Sequence, residues 1–206
     1  MRKIKTIEWM SAALLVALIL VCAIYWAAAP SQRLGMALRA TARWSFLWFC
    51  LATYGGALAA LFGSSFQPLA SRGRDFGLAF AAAQSAHVGL AIWLLFKSPD
   101  PFPRLQLIIF SIGVFWTYVL AMFSFSEALN ARMGIRRSQN LRRIGVEYIA
   151  FAFAFEFGGR ILDGNLANAL HYSPLFAAAV GGPLLRISAW IKRRALRENT
   201  TGLLSN

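Results

Sequence analysis

The chain has 206 residues, 58% of them hydrophobic and only 14% charged, a balance too apolar for a soluble domain of this length. Its formal charge of +13 comes from 21 Lys and Arg against 8 Asp and Glu. The basic residues gather at the ends of apolar stretches instead of along one amphipathic face, so they read as topology signals and exclude a nucleic-acid binder.

The first apolar stretch, residues 9–29, follows the basic start Met1-Arg2-Lys3-Ile4-Lys5. Ala27-Ala28-Ala29 resembles a signal cleavage site. The run is longer than the roughly 7–15 apolar residues of a secretory signal, and it is read as a retained helix. Further spans are expected at 41–63, 76–97, 105–127, 143–162 and 174–191. At about 1.5 Å per residue each is long enough, or nearly so, for a hydrocarbon core of roughly 30 Å. Pro30, Pro68, the run Pro99-Asp100-Pro101-Phe102-Pro103 and Pro174 fall between or at the edges of these spans, where a missing backbone donor costs least.

Six spans put Arg33, Arg39, Arg43, Lys97, Arg104 and Arg160 on one side of the membrane and the other fifteen of the 21 basic residues on the opposite side. The bias predicts a six-transmembrane-helix bundle with both termini cytoplasmic, in the inner (plasma) membrane. Residues 1–191 form this single bundle, and 192–206 a short basic tail, too small for a flavin or nucleotide domain. Cys22 and Cys50 both fall inside spans without CxxC spacing, so packing is their expected role and no metal site is expected beyond a haem iron. No P-loop, dinucleotide fingerprint, G-x-S-x-G elbow or H-E-x-x-H helix occurs. Nor does a hydropathy repeat suggest inverted transporter halves.

The third span opens on Arg74-Asp75-Phe76-Gly77-Leu78-Ala79-Phe80, carries Ala86-His87 at its centre and ends near Leu94-Leu95-Phe96. The segment Leu141-Arg142-Arg143-Ile144-Gly145 leads into the fifth span. On these residues, from about the second to the fifth span, the chain resembles the ferric-reductase-like transmembrane family. That family includes the haem-carrying membrane subunit of the bacterial methionine sulfoxide reductase system. The resemblance implies a six-helix fold, a b-type haem on the central His of the third helix, here His87, and electron transfer with a soluble or membrane redox partner. The family's partner histidines lie on the fifth helix, and residues 143–162 contain none. The corresponding places fall on Arg142 and Phe155, or on Gly145 and Gly158, according to register. The expectation is accordingly that no cofactor is carried, with haem b on His87 as the alternative.

His171 is the other histidine, expected at the outer rim before the sixth span and about 15 Å from the depth of His87. Ionisable groups at membrane depth are functional candidates, because a charge at mid-helix costs about 2.5–3.5 kcal/mol. His87 reads as a hydrogen-bonded neutral imidazole or as a ligand, with Gln84 three residues earlier as its polar neighbour. The fifth span carries Glu147, Glu156 and Arg160. Glu156 and Arg160 are four apart and pair within the helix; the sharper reading has Glu156 face His87 across the bundle as a proton-relay carboxylate.

Trp9, Tyr25, Trp26, Trp44, Trp48, Trp93, Tyr148, Tyr172 and Trp190 lie near span ends and read as interfacial anchors, while Trp116 and Tyr118 lie deeper. The small-residue patches Tyr54-Gly55-Gly56-Ala57, 79–83 and 177–182 allow close helix approach. The basic loop 132–143 fits contact with anionic lipid, or the docking of a soluble partner. Three functions remain open: a degenerate or partner-dependent subunit of ferric-reductase-like fold without bis-His haem, a haem-b electron-transfer protein using His87, and a small proton-coupled transporter using His87, Glu147 and Glu156. Only the second is an oxidoreductase.

Overall fold

The structure, a computed structural model, describes residues 2–97, 103–126, 131–163 and 165–203. Among these residues there is no strand. The helices are α1 (Arg2–Ala27), α2 (Arg33–Phe62), α3 (Gln67–Ser71), α4 (Gly73–Lys97), α5 (Arg104–Phe125), α6 (Ile135–Leu162) and α7 (Leu166–Leu203), with one 3-10 turn at Ser64–Phe66 before α3. Five of them, α1, α2, α4, α5 and α7, contain stretches long and apolar enough to cross a membrane. The sixth long helix, α6, is interrupted by Arg142, Arg143, Glu147, Glu156 and Arg160 and is the most polar.

Neighbouring long helices alternate in direction, as the short connections require. Thr6 of α1 donates to Asp75 of α4 at 2.6 Å, Trp44 of α2 donates its indole N–H to the Ala13 carbonyl at 2.8 Å, and Tyr25 stacks on Trp93. Phe46 and Tyr172 both touch Phe157, and Tyr54 of α2 reaches the Ala178 carbonyl of α7. The N-terminus of α1, the C-terminus of α2, the starts of α4 and α6 and the end of α7 therefore share one end of the bundle, which is the basic end. α2 is the central helix, packed on α1, α4 and α7; α5 lies at the periphery against α6 and α4.

The core is aromatic. Phe153 of α6 contacts Phe46, Phe49, Phe80 and Phe157 with ring centroids 4.9 to 6.2 Å apart, which fills the space between α2, α4 and α6. A second cluster joins Trp9, Trp44, Trp48 and Phe76. Three tryptophans read from the sequence as interfacial anchors thus pack against one another between α1, α2 and α4, while Trp26 is 92% exposed. The difference arises because α2 begins at Arg33, eight residues before the expected 41, so Trp44 and Trp48 lie further inside the helix.

Three other boundaries move for local reasons. Pro174, expected at a helix start, lies inside α7, which begins at Leu166 behind Asn165; the Asn165 side chain accepts the Ala167 N–H at 2.9 Å and caps the helix. The expected loop 132–143 is largely the first two turns of α6, which starts after Gly134 at φ +76°, a left-handed conformation that glycine adopts without strain. The expected tail at 192–206 continues α7 as helix to Leu203, with no break at 191. Residues 98–102, Glu127 and 204–206 of the expected elements lie outside the described residues.

Close approach occurs at three glycines, and at Gly55 a Cβ would stand 2.7 Å from the backbone of Leu69 and Ala70. A Cβ on Gly182 would stand 2.6 Å from the Tyr54 ring, and one on Gly145 2.8 Å from the Trp116 ring. Both positions allow an aromatic side chain to lie flat against a helix backbone.

Candidate functional site

A charged or strongly polar side chain inside an apolar bundle must find a partner or carry its desolvation cost alone. The partners in this bundle fall into separate groups. Glu147 of α6 meets Arg186 of α7, with Nε–Oε1 and Nη2–Oε2 both 2.9 Å, a fork in which two parallel N–H groups match the two carboxylate oxygens. Arg186 falls inside the expected span 174–191, near its basic end. The signal that could have paired it was depth: Glu147 and Arg186 each lie about five residues from the basic end of their spans.

Glu156 and Arg160 pair within α6 at 3.1 Å, and Gln106 of α5 donates to the other carboxylate oxygen at 3.3 Å. Glu156 therefore belongs to the face of α6 turned to α5, and the sharper expectation that it faces His87 is corrected. The inward positions of α6 are taken by Ile149, Phe153 and Phe157, and Phe153 with Phe80 of α4 fills the space between the two helices.

His87 sits in the middle turns of α4 with Nδ1 3.1 Å from the Thr41 hydroxyl of α2. Thr41 is fully buried and its Oγ1 lies 2.8 Å from the Ala37 carbonyl, the usual back-bond of a helical threonine. With the hydroxyl proton on Ala37, Thr41 accepts from Nδ1–H of His87. Gln84 does not join this pair: its Oε1 is buried without a hydrogen-bond partner among the described residues. Thr41, the first residue of the expected second span, lies about two turns inside α2.

His171 is exposed on α7, while its neighbour Tyr172 turns inward onto Phe157 and under the Arg43 guanidinium, 4.9 Å above the ring. α7, which carries His171, packs on α6 and α2, whereas α4, which carries His87, packs mainly on α1, α2 and α5. A bis-imidazole haem needs two ring nitrogens on one iron. This donor set does not fit it, and the alternative places on α6, Arg142 and Phe155 or Gly145 and Gly158, supply no imidazole. No group of three or more His, Cys, Asp or Glu gathers among the described residues. Cys22 is exposed and Cys50 half-buried, and both are free.

At the basic end the fork between Glu147 and Arg186 borders a cleft of about 360 Å³ between α2, α6 and α7. Its wall includes Thr53, Gly56, Arg143, Trp190 and Arg193, and it continues past Arg142 and Ala52. Arg193 donates to the Gly56 carbonyl at 3.4 Å and Lys192 to the Leu61 carbonyl at 2.9 Å, which satisfies carbonyls in the last two turns of α2. The cleft is assembled from three helices and leaves no local signal in the sequence.

No family, no curated protein and no solved structure matches the chain. The fold and its long apolar helices define an α-helical membrane protein.

Proposed function

We propose that this chain is a six-span inner-membrane protein with both termini cytoplasmic, of ferric-reductase-like arrangement, that acts as a partner-dependent subunit without a bis-His haem of its own. α6 is its least apolar span, and the basic end faces the cytoplasm, in keeping with the excess of Lys and Arg there. The observation that carries the reading is that the ionisable intramembrane candidates are engaged by internal partners: Glu147 by Arg186, Glu156 by Arg160 and Gln106, His87 by Thr41. Groups engaged in this way hold helices together, and they leave neither a second haem ligand beside His87 nor a continuous line of carboxylates for protons. A redox partner, soluble or in the membrane, supplies the chemistry on this reading.

The test is the visible spectrum of the detergent-purified protein, oxidised and dithionite-reduced, after expression with haem supplied, alongside proton flux in reconstituted vesicles. The expected result is a folded protein without a stoichiometric Soret band and without flux above empty vesicles. A stoichiometric Soret band that shifts on reduction and disappears in His87→Ala overturns the proposal in favour of electron transfer. Proton flux abolished by Glu156→Gln overturns it in favour of a carrier.

A further inference from the structure

The cleft at the basic end gathers Arg142, Arg143, Arg186 and Arg193 around a single carboxylate, Glu147. Glu147 is already committed to Nε and Nη2 of Arg186, whose Nη1 is buried with no acceptor among the described residues. Arg142 and Arg143 are exposed and have no hydrogen-bond or ion-pair partner among the described residues. The cleft is thus rich in donors and poor in acceptors, the reverse of what a filled polar site shows.

Its depth narrows the ligand. The wall residues Thr53 to Ala57 stand about 8–14 Å along α2 from the middle of that 30-residue helix. Half the hydrocarbon core is about 15 Å, so with the middle of α2 set at the bilayer midplane the cleft runs from the acyl region to the phosphate level of the leaflet. Beside it α7 turns Leu184, Ile187 and Trp190 outward, each at least 50% exposed, and Ile187 and Trp190 also line the cleft. Arginines above and an apolar stripe alongside are the two halves of an amphipathic ligand.

We propose that this cleft binds the phosphate headgroup of an anionic phospholipid, with Arg143 and Arg193 on the phosphate and the acyl chains along Leu184, Ile187 and Trp190. The inference rests on the membrane orientation proposed above. The lipid is the occupant, and free inorganic phosphate, which shares the headgroup chemistry, is not, because it leaves the apolar stripe uncovered.

The experiment adds dioleoyl phosphatidylglycerol, dioleoyl phosphatidylcholine or inorganic phosphate to the full chain in detergent and reads bound lipid by native mass spectrometry and thermal stabilisation. Phosphatidylglycerol is expected to bind at one per chain, about tenfold more tightly than phosphatidylcholine. Arg143→Gln with Arg193→Gln is expected to remove that preference. Gly56→Leu, which keeps every charge and grows where a Cβ meets nothing within 4 Å, is expected to weaken binding by a similar factor. Arg136→Gln with Arg137→Gln, the same charge loss outside the cleft, is expected to leave it intact. Equal loss in that control pair, displacement of the lipid by inorganic phosphate at millimolar level, or no preference at all overturns the site. Carbonate washing of the membranes separates the site from membrane insertion: release of the protein overturns the insertion and the site together, whereas retention without lipid preference overturns the site alone.

Discussion

The Arg186 guanidinium and the Glu147 carboxylate meet as a two-point fork that ties α7 to α6, both contacts at 2.9 Å. Removing one partner leaves the other half-buried and unpaired. Glu147→Gln is expected to destabilise the bundle by about 2 kcal/mol, below the cost for a fully buried pair because the Glu147 side chain is 37% exposed. Arg186→Lys, which keeps the charge and loses the planar fork, should cost less, and the double variant Glu147→Gln with Arg186→Gln should cost less than the sum of its parts. Reversible unfolding in mixed micelles measures all three; strict additivity would mean the fork contributes no coupling.

Gly182 lets the Tyr54 ring lie on α7 and its hydroxyl donate to the Ala178 carbonyl. Gly182→Ala places a methyl 2.6 Å from that ring, where backbone has to shift, and is expected to cost about 1–3 kcal/mol. Tyr54→Ala should recover part of that loss in the double variant, which the same unfolding assay reads. A neutral Gly182→Ala would place the two helices further apart than described here.

Single cysteines in a Cys22→Ala, Cys50→Ala background test the path of the chain through the bilayer. Ser64→Cys, between α2 and α3, is expected to react with an impermeant maleimide from the cytoplasmic side. Ser31→Cys and Asn165→Cys, both exposed at the opposite end, should react from the outside. Labelling of Asn165→Cys from the same side as Ser64→Cys would show that α6 does not cross.

Glu156 has a local role in this structure. Its carboxylate is shared between Arg160 and Gln106 at the edge of the bundle, so Glu156→Gln is expected to change stability by less than about 1 kcal/mol. His87→Leu, which deletes the imidazole from the α2–α4 contact and leaves Thr41 facing an apolar group, should cost more. The reverse order in the unfolding assay would show that the α5–α6 edge holds the bundle more strongly than the α2–α4 contact.

Hydropathy and prolines were enough to place the long helices, because about twenty apolar residues in a row have few other uses. They misplaced the ends wherever polar residues continue a helix beyond the apolar run, as Arg33 to Ala40 do for α2 and Arg136 to Arg143 for α6. Pro174 misled for the same reason: a helix can carry a proline when a cap such as Asn165 sets its start upstream. Within the candidate site, the pairing of Glu156 with Arg160 follows from spacing alone. The pairing of Glu147 with Arg186, and of His87 with Thr41, spans 39 and 46 residues and depends on which helices become neighbours, which no local pattern encodes.

The peripheral place of α5 bears on how the protein is made. α6 carries Glu147, Glu156 and Arg160 within the stretch 143–162, where a charge at mid-helix costs about 2.5–3.5 kcal/mol, and would partition poorly into lipid as a lone segment. α5 leaves the ribosome first and offers what α6 lacks: the Gln106 amide for Glu156, the Ile109 carbonyl for the Tyr148 hydroxyl at 3.1 Å, and the Trp116 ring for the bare backbone at Gly145. On the six-span reading proposed above, the two helices enter the bilayer together as one hairpin, with α5 supplying partners for the polar groups of α6. Damage to α5 would surface as α6 stranded in the aqueous phase during biogenesis.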